Sequence, residues 1–165
     1  MRRLGVREDR ILLVQSNVAN TYERVGRRDD ALRIRRETYS RTLKLNGEED
    51  EHTLRAANNY ADSLANLECF KEAKSLLRKM MPVARRVLGE GHRLTLRMKK
   101  IYARALYNDD DATLDDLRKA VTTLEDTARI ARRVFGGAHP LTVDIERELG
   151  IARAKLRARK TPSTR

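Results

Sequence analysis

Residues 84–95 read Ala-Arg-Arg-Val-Leu-Gly-Glu-Gly-His-Arg-Leu-Thr, and residues 131–142 read Ala-Arg-Arg-Val-Phe-Gly-Gly-Ala-His-Pro-Leu-Thr. A phrase that returns in this way is the mark of an internal repeat, and the register extends in both directions. Ala19, Ala61 and Ala103 follow one another at intervals of 42, as do Ala31 and Ala73. Ala120 comes 47 after Ala73, which places five extra residues within the stretch Asn-Asp-Asp-Asp-Ala-Thr-Leu-Asp-Asp at 108–116. The spacing then recovers: Ala31 to Gly47, Ala73 to Gly89 and Ala120 to Gly136 are each 16 apart. Leu149-Gly150 opens a fourth unit, with Gly150 lying 47 after Ala103.

Within a unit the apolar residues follow helical spacing, as at Leu12, Leu13, Val18, Ala19, Tyr22 and Val25. Gly26 ends a first helix, and Asn46-Gly47 ends a longer second one. Later helices are expected near 51–67, 71–88, 93–108, 114–135 and 140–158, with Pro140 in a first turn, where its missing N–H is harmless. The small anchors would let the two helices of a unit approach closely. The reading is therefore all-α, a helix-pair solenoid of about 3.5 units. Residues 1–8 read as a lead and 9–158 as the array. Its units are about 9–47, 51–89 and 93–136, with a terminal helix at 140–158, and 159–165 read as a disordered basic tail. The abrupt start fits a piece of a longer gene product.

Composition agrees. The 165 residues include 36 Lys+Arg and 24 Asp+Glu, a formal net charge of +12, but only 4% aromatics. Gly 8 and Pro 3 are too few for an all-β chain full of tight turns. The single cysteine, Cys69, excludes a disulfide framework and a Cys-rich zinc site. No run has the ~18 apolar residues of a membrane span. Acids interrupt the opening Met-Arg-Arg-Leu-Gly-Val-Arg-Glu-Asp-Arg, and no apolar segment follows, so it is not a secretory signal. A cytoplasmic protein is expected.

Small residues twelve apart across a turn, Ala19/Ala31 and Ala61/Ala73, with Tyr22 three after the first, resemble the tetratricopeptide repeat. A 42-residue period with Leu88-Gly89…His92-Arg-Leu-Thr95-Leu and Phe135-Gly136…His139-Pro-Leu-Thr142-Val is similar to kinesin light chain and its relatives. Two features depart from that pattern. The first junction has its histidine, His52, displaced by two, and the third unit carries Lys100-Ile101 where the first two have Asn17 and Asn59. HEAT repeats share the period but lack the anchor spacing. The resemblance implies a right-handed superhelix that acts as an interaction scaffold, with first helices lining a groove for an extended or helical peptide. It also implies that Asn17 and Asn59 bond the backbone of that ligand. An asparagine amide suits the task, since it offers both donor and acceptor to any peptide group.

Ser16, Asn20, Asn58 and Asp62, one turn away, are short and polar as well. Arg97, Lys100 and Arg104 fall at i, i+3 and i+7 on one face of the third unit's first helix. Aligned with the polar positions, they would make a cationic wall for a protein or peptide partner with an acidic segment. A plain solvated helix face is the alternative for both sets. The acids of the insertion would either cap the next helix or neutralise that wall. They lack the spacing of a calcium loop.

No catalytic motif is present: there is no phosphate-cradling glycine loop, nucleophile elbow or HExxH pair. His52, His92 and His139 lie in turns about one repeat apart, which suits capping rather than metal binding. Neither a cofactor nor a metal is expected. Arginines such as Arg33, Arg35, Arg36, Arg41, Arg78, Arg85, Arg86, Arg129, Arg132 and Arg133 load the second helices, and Arg153, Lys155, Arg157, Arg159 and Lys160 load the last helix. All of the former are expected on the outer, convex side. They would give either an electrostatic surface for nucleic acid or anionic membranes, or simple solubility. Scarce stacking aromatics argue against nucleic acid.

Overall fold

The computed structural model describes residues 2–160. Seven helices account for the described chain, with no strand among them: α1 (Arg2–Arg24), α2 (Arg28–Asn46), α3 (Glu51–Asn66), α4 (Phe70–Leu88), α5 (Arg93–Asn108), α6 (Leu114–Phe135) and α7 (Pro140–Lys160). Each helix packs on the next in sequence, and α3 also lies against α5, and α5 against α7. The result is a row of helix pairs in which α3, α5 and α7 lie side by side. α1 begins at Arg2, so residues 2–8, read as a lead, continue the first helix. α7 runs on to Lys160, two residues beyond the end expected at 158. Met1 and the tail at 161–165 lie outside the described residues.

The register explains the packing. Ala19, Ala61 and Ala103 of the first helices, and Ala31, Ala73 and Ala120 of the second, are all fully buried. At these points only a methyl group separates the two helices of a pair. Leucine at Ala61 would have to displace the neighbouring helix, and Ala61→Leu should lower stability by ~1–3 kcal/mol through overpacking. Chemical denaturation of the two proteins checks this.

The turns repeat as well. Gly47, Gly89 and Gly136 end α2, α4 and α6 with φ of 82°, 94° and 87°. Side chains rarely adopt that backbone, which accounts for glycine at all three places. Gly26, at φ 81°, ends the first turn, but its register partner is Glu68, held at φ 60°. Glu68→Gly should therefore stabilise the chain by ~1 kcal/mol, because the left-handed strain of a side-chain residue is removed. A thermal melt should show this as a rise of ~2–4 °C.

Helix N-termini follow the same logic. His92 accepts from the Leu94 N–H at 3.2 Å through Nδ1, and His139 accepts from the Leu141 N–H at 3.1 Å. At the first junction Asp50 stands in the position of His92, accepting from the N–H groups of His52 (2.8 Å) and Thr53 (3.3 Å). The displaced His52 is thus exposed and replaced in its role by a better cap. In the insertion, Thr113 and Asp116 form a capping box at the start of α6. Two of the other insertion acids reach back to α4: Asp109 pairs with Lys74 at 2.5 Å and Asp111 with Lys71 at 2.7 Å. The Lys74 ammonium beside Asp109 holds that carboxyl below the usual range. Of the two roles expected for these acids, the first falls to Asp116. The neutralised cations belong to α4 rather than to the wall of α5.

Candidate functional site: the face of the first helices

Four register positions of the first helices form rows across the array. One row is Ser16, Asn58 and Lys100; the next is Asn17, Asn59 and Ile101; the third is Asn20, Asp62 and Arg104; the fourth contains Arg55, Arg97 and Asp144. Of these, Asn17, Asn20, Arg55, Asn58, Asn59, Asp62 and Arg97 open onto two hollows that share Asn20 and Glu23. The hollow toward the N-terminal end, of about 890 Å³, has Asn17, Arg24 and Asn66 on its wall. The other, of about 560 Å³, is walled by Asn58, Asn59, Asp62 and Arg97. Asn20, Asn58, Asn59 and Arg97 therefore border one hollow, and Asn17 borders the neighbouring one.

Ser16 is half-buried, and it borders neither hollow, nor do Lys100 and Arg104. Lys100 pairs with Asp144 of α7. Burial pushes the Asp144 carboxyl up, but the hydrogen bond and charge of Lys100, aided by Arg147, bring it net below its ordinary value. Arg104 donates from Nη2 to Asp62 Oδ1 at 2.9 Å and to Asn66 Oδ1 at 3.0 Å. Two of the three expected wall cations are thus engaged by acids one unit away in register. Arg97 makes no ion pair or hydrogen bond among the described residues. Asn58 is 1% exposed, donates to Asn59 Oδ1 at 3.2 Å, and keeps its own Oδ1 without a partner.

Sequence reasoning missed the group that holds this concavity together. Arg35, expected on the convex side, is 7% exposed. Its Nη1 donates to the Asn59 carbonyl at 2.9 Å, and its Nη2 to Asn20 Oδ1 at 2.9 Å and Glu23 Oε2 at 2.7 Å. Ser63 Oγ donates to the other Glu23 oxygen at 3.1 Å. α1 and α3 make no close backbone contact of their own, and this ionic cluster links them. The signal was in the register: Arg35 occupies the position of Leu77 and Leu124, both fully buried. A cation in a core position must bring its own partners, and Glu23 stands where the later units have Ala65 and Tyr107.

Much of the remaining convex charge is paired. Arg33 meets Asp30, Arg36 meets Glu72, Lys79 meets Glu48, Arg86 meets Glu49, and Arg132 meets Glu146. Among the described residues no cluster of three or more His, Cys, Asp or Glu is placed to hold a metal ion. None of the described helices is long and apolar enough to cross a membrane.

Residues 53–94 match the tetratricopeptide repeat family model. Among solved structures the chain is similar to a Podosopora anserina protein described as a kinesin light chain with nearly identical TPR-like repeats. The TM-score is 0.77 at 21% identity, covering 87% of this chain and 66% of that one. It is also similar to BtubC (BKLC) from P. vanneervenii, with a TM-score of 0.73 at 20% identity, covering 91% of this chain and 60% of that one. A further crystal structure of the Podosopora anserina protein gives 0.54 at 17% identity, covering 90% and 88%. The chain spans less than two thirds of the first two structures. No curated protein matches it significantly. The fold is a tetratricopeptide helix-pair solenoid of the kinesin light chain-like kind.

Proposed function

We propose that this chain is a non-catalytic, cytoplasmic interaction scaffold that binds a peptide or disordered protein segment along the face of its first helices. Tetratricopeptide repeats generally serve protein–protein interaction, and the concavity supplies what an extended segment needs. The observation that carries the reading is the convergence of Asn20, Asn58, Asn59, Asp62 and Arg97 on one hollow, where the Asn58 Oδ1 and the Arg97 guanidinium have no partner among the described residues. Amide side chains can bond a peptide backbone whatever its sequence, and Arg97 would select an acidic residue.

The alternative is an electrostatic surface for nucleic acid on the convex side and α7. It draws on the basic second half of α7, which has no acid after Glu148. The convex ion pairs absorb part of that charge, which favours the groove instead.

A random-peptide display selection on the intact chain tests the reading. Selected peptides should be enriched in Asp or Glu, and their binding should fall at least tenfold on Asn59→Ala. Ligands that bind the variant equally well would place recognition elsewhere. Steep loss of nucleic-acid binding with salt would support the alternative.

A further inference from the structure

The second helices α4 and α6 make no close backbone contact with each other, and a hollow of about 380 Å³ lies between them with α5 beneath. Arg78, Met81 and Pro82 of α4, Tyr102 of α5 and Lys119 of α6 border it. The preceding interface, between α2 and α4, is built from the same register and serves as the internal reference. There Arg36 donates to the Tyr60 hydroxyl at 2.9 Å and meets Glu72 at 3.7 Å, so the phenol lies beside a neutral pair. Tyr39 stacks on Tyr60 with ring centroids 6.0 Å apart.

One unit later the pattern changes at two places. Arg78 again donates to the tyrosine, Tyr102, at 3.3 Å. Lys119, however, stands where Glu72 stands, and its ammonium lies 5.5 Å from the Tyr102 ring centroid. Met81 stands where Tyr39 stands, so the stacked ring of the first interface has no counterpart. Two cations therefore converge on one phenol, and neither has a carboxylate within ion-pair distance among the described residues. The other charges around the hollow are already engaged. Arg85 and Lys99 share Glu90, and Asp126 is held by Arg129. Burial raises the Tyr102 hydroxyl, but the hydrogen bonds and charges of Arg78 and Lys119 outweigh it and leave the group below its usual value. A local excess of positive charge has that effect.

We infer that this hollow is an anion site for a phosphate monoester carried on a planar ring. A phosphate carries about −1.5 to −2 charges and three acceptor oxygens. That matches two unneutralised cations and three donors: the free Arg78 nitrogens, the Lys119 ammonium and the Tyr102 hydroxyl. The ring would lie in the hollow beside Tyr102, with Met81 and Pro82 as its apolar wall. The site lies apart from the groove of the first helices, and the two readings stand or fall separately.

Calorimetric titration of the intact chain with phenyl phosphate tests the inference. Saturable binding is expected, and Lys119→Glu should weaken it at least tenfold. That variant restores the Arg–Glu pairing already present at Arg36 and Glu72, so it should melt like the parent protein. Arg78→Gln should weaken binding similarly, and inorganic phosphate, without the ring, should bind at least tenfold more weakly than phenyl phosphate. A phosphotyrosyl peptide and a nucleoside monophosphate distinguish the sources of the group, and the tighter of the two should show the same dependence on Lys119. Absence of saturable binding, or equal affinity on the parent and Lys119→Glu, overturns the site. Equal affinity for inorganic phosphate overturns the ring.

Discussion

Replacing Arg35 with alanine is expected to lower the stability of the chain by ~3 kcal/mol, the scale on which one partner is lost from a buried ion pair. The guanidinium donates to three groups on two other helices, the Asn59 carbonyl, Asn20 Oδ1 and Glu23 Oε2, and Glu23 in turn accepts from the Ser63 hydroxyl. Its removal leaves a cavity together with a carboxylate that is only 27% exposed. The register supplies a second, sharper expectation. Arg35→Leu combined with Glu23→Ala installs the residues that the next unit carries at Leu77 and Ala65. Whole apolar replacement of a buried ion pair is often neutral or stabilising, so the double variant should lie within ~1 kcal/mol of the parent, or above it. Urea denaturation of the three proteins measures both effects. If the double variant is as unstable as Arg35→Ala, the cluster contributes to stability in a way that apolar packing cannot replace.

The fold was legible because its determinants are local and repeated. A methyl-sized residue where the two helices of a unit cross, a glycine after α2, α4 and α6 and a cap one residue before α3, α5 and α7 recur in one register. Each has a single physical reason. Asp50 is the instructive case: aligned by number with His92, it caps α3, so the junction that departed from the motif keeps the function of the motif. Arg35 was not legible from its own neighbourhood. On an amphipathic pattern an arginine counts as solvent-facing, and only comparison with Leu77 and Leu124 shows that it lies inward. The wall of α5 was half legible. Spacing places Arg97, Lys100 and Arg104 on one helical face, but the partners of Lys100 and Arg104 come from α7 and α3, and such pairings across units have no signature in spacing. Of the candidate residues, Asn17, Asn20, Asn58, Asn59, Asp62 and Arg97 border the two hollows, whereas Ser16, Lys100 and Arg104 do not.

That difference determines the second large effect. For a peptide selected on this chain, exchanging its key Asp or Glu for the amide should reduce affinity about tenfold or more. A charge-assisted hydrogen bond is worth ~1.5–3 kcal/mol when partly desolvated, and ~1.4 kcal/mol is a factor of ten. Arg97→Ala should reproduce that loss, and the acidic and amide peptides should then bind the variant alike. Arg104→Ala should leave the acid preference intact, since its guanidinium is already committed to Asp62 and Asn66. Fluorescence anisotropy with the two peptides on the three proteins separates these outcomes. If the acid preference survives in Arg97→Ala and disappears in Arg104→Ala, the ligand displaces Asp62, and the site must be redrawn toward α5.

The central claim is that recognition takes place on the face of the first helices. Hydrogen–deuterium exchange of the intact chain, with and without a saturating selected peptide, tests it most directly. The account predicts slowed exchange in α1, α3 and the first half of α5, with α2, α4 and α6 unchanged. Protection confined to α4 and α6, with α3 exchanging as in the free protein, would contradict it.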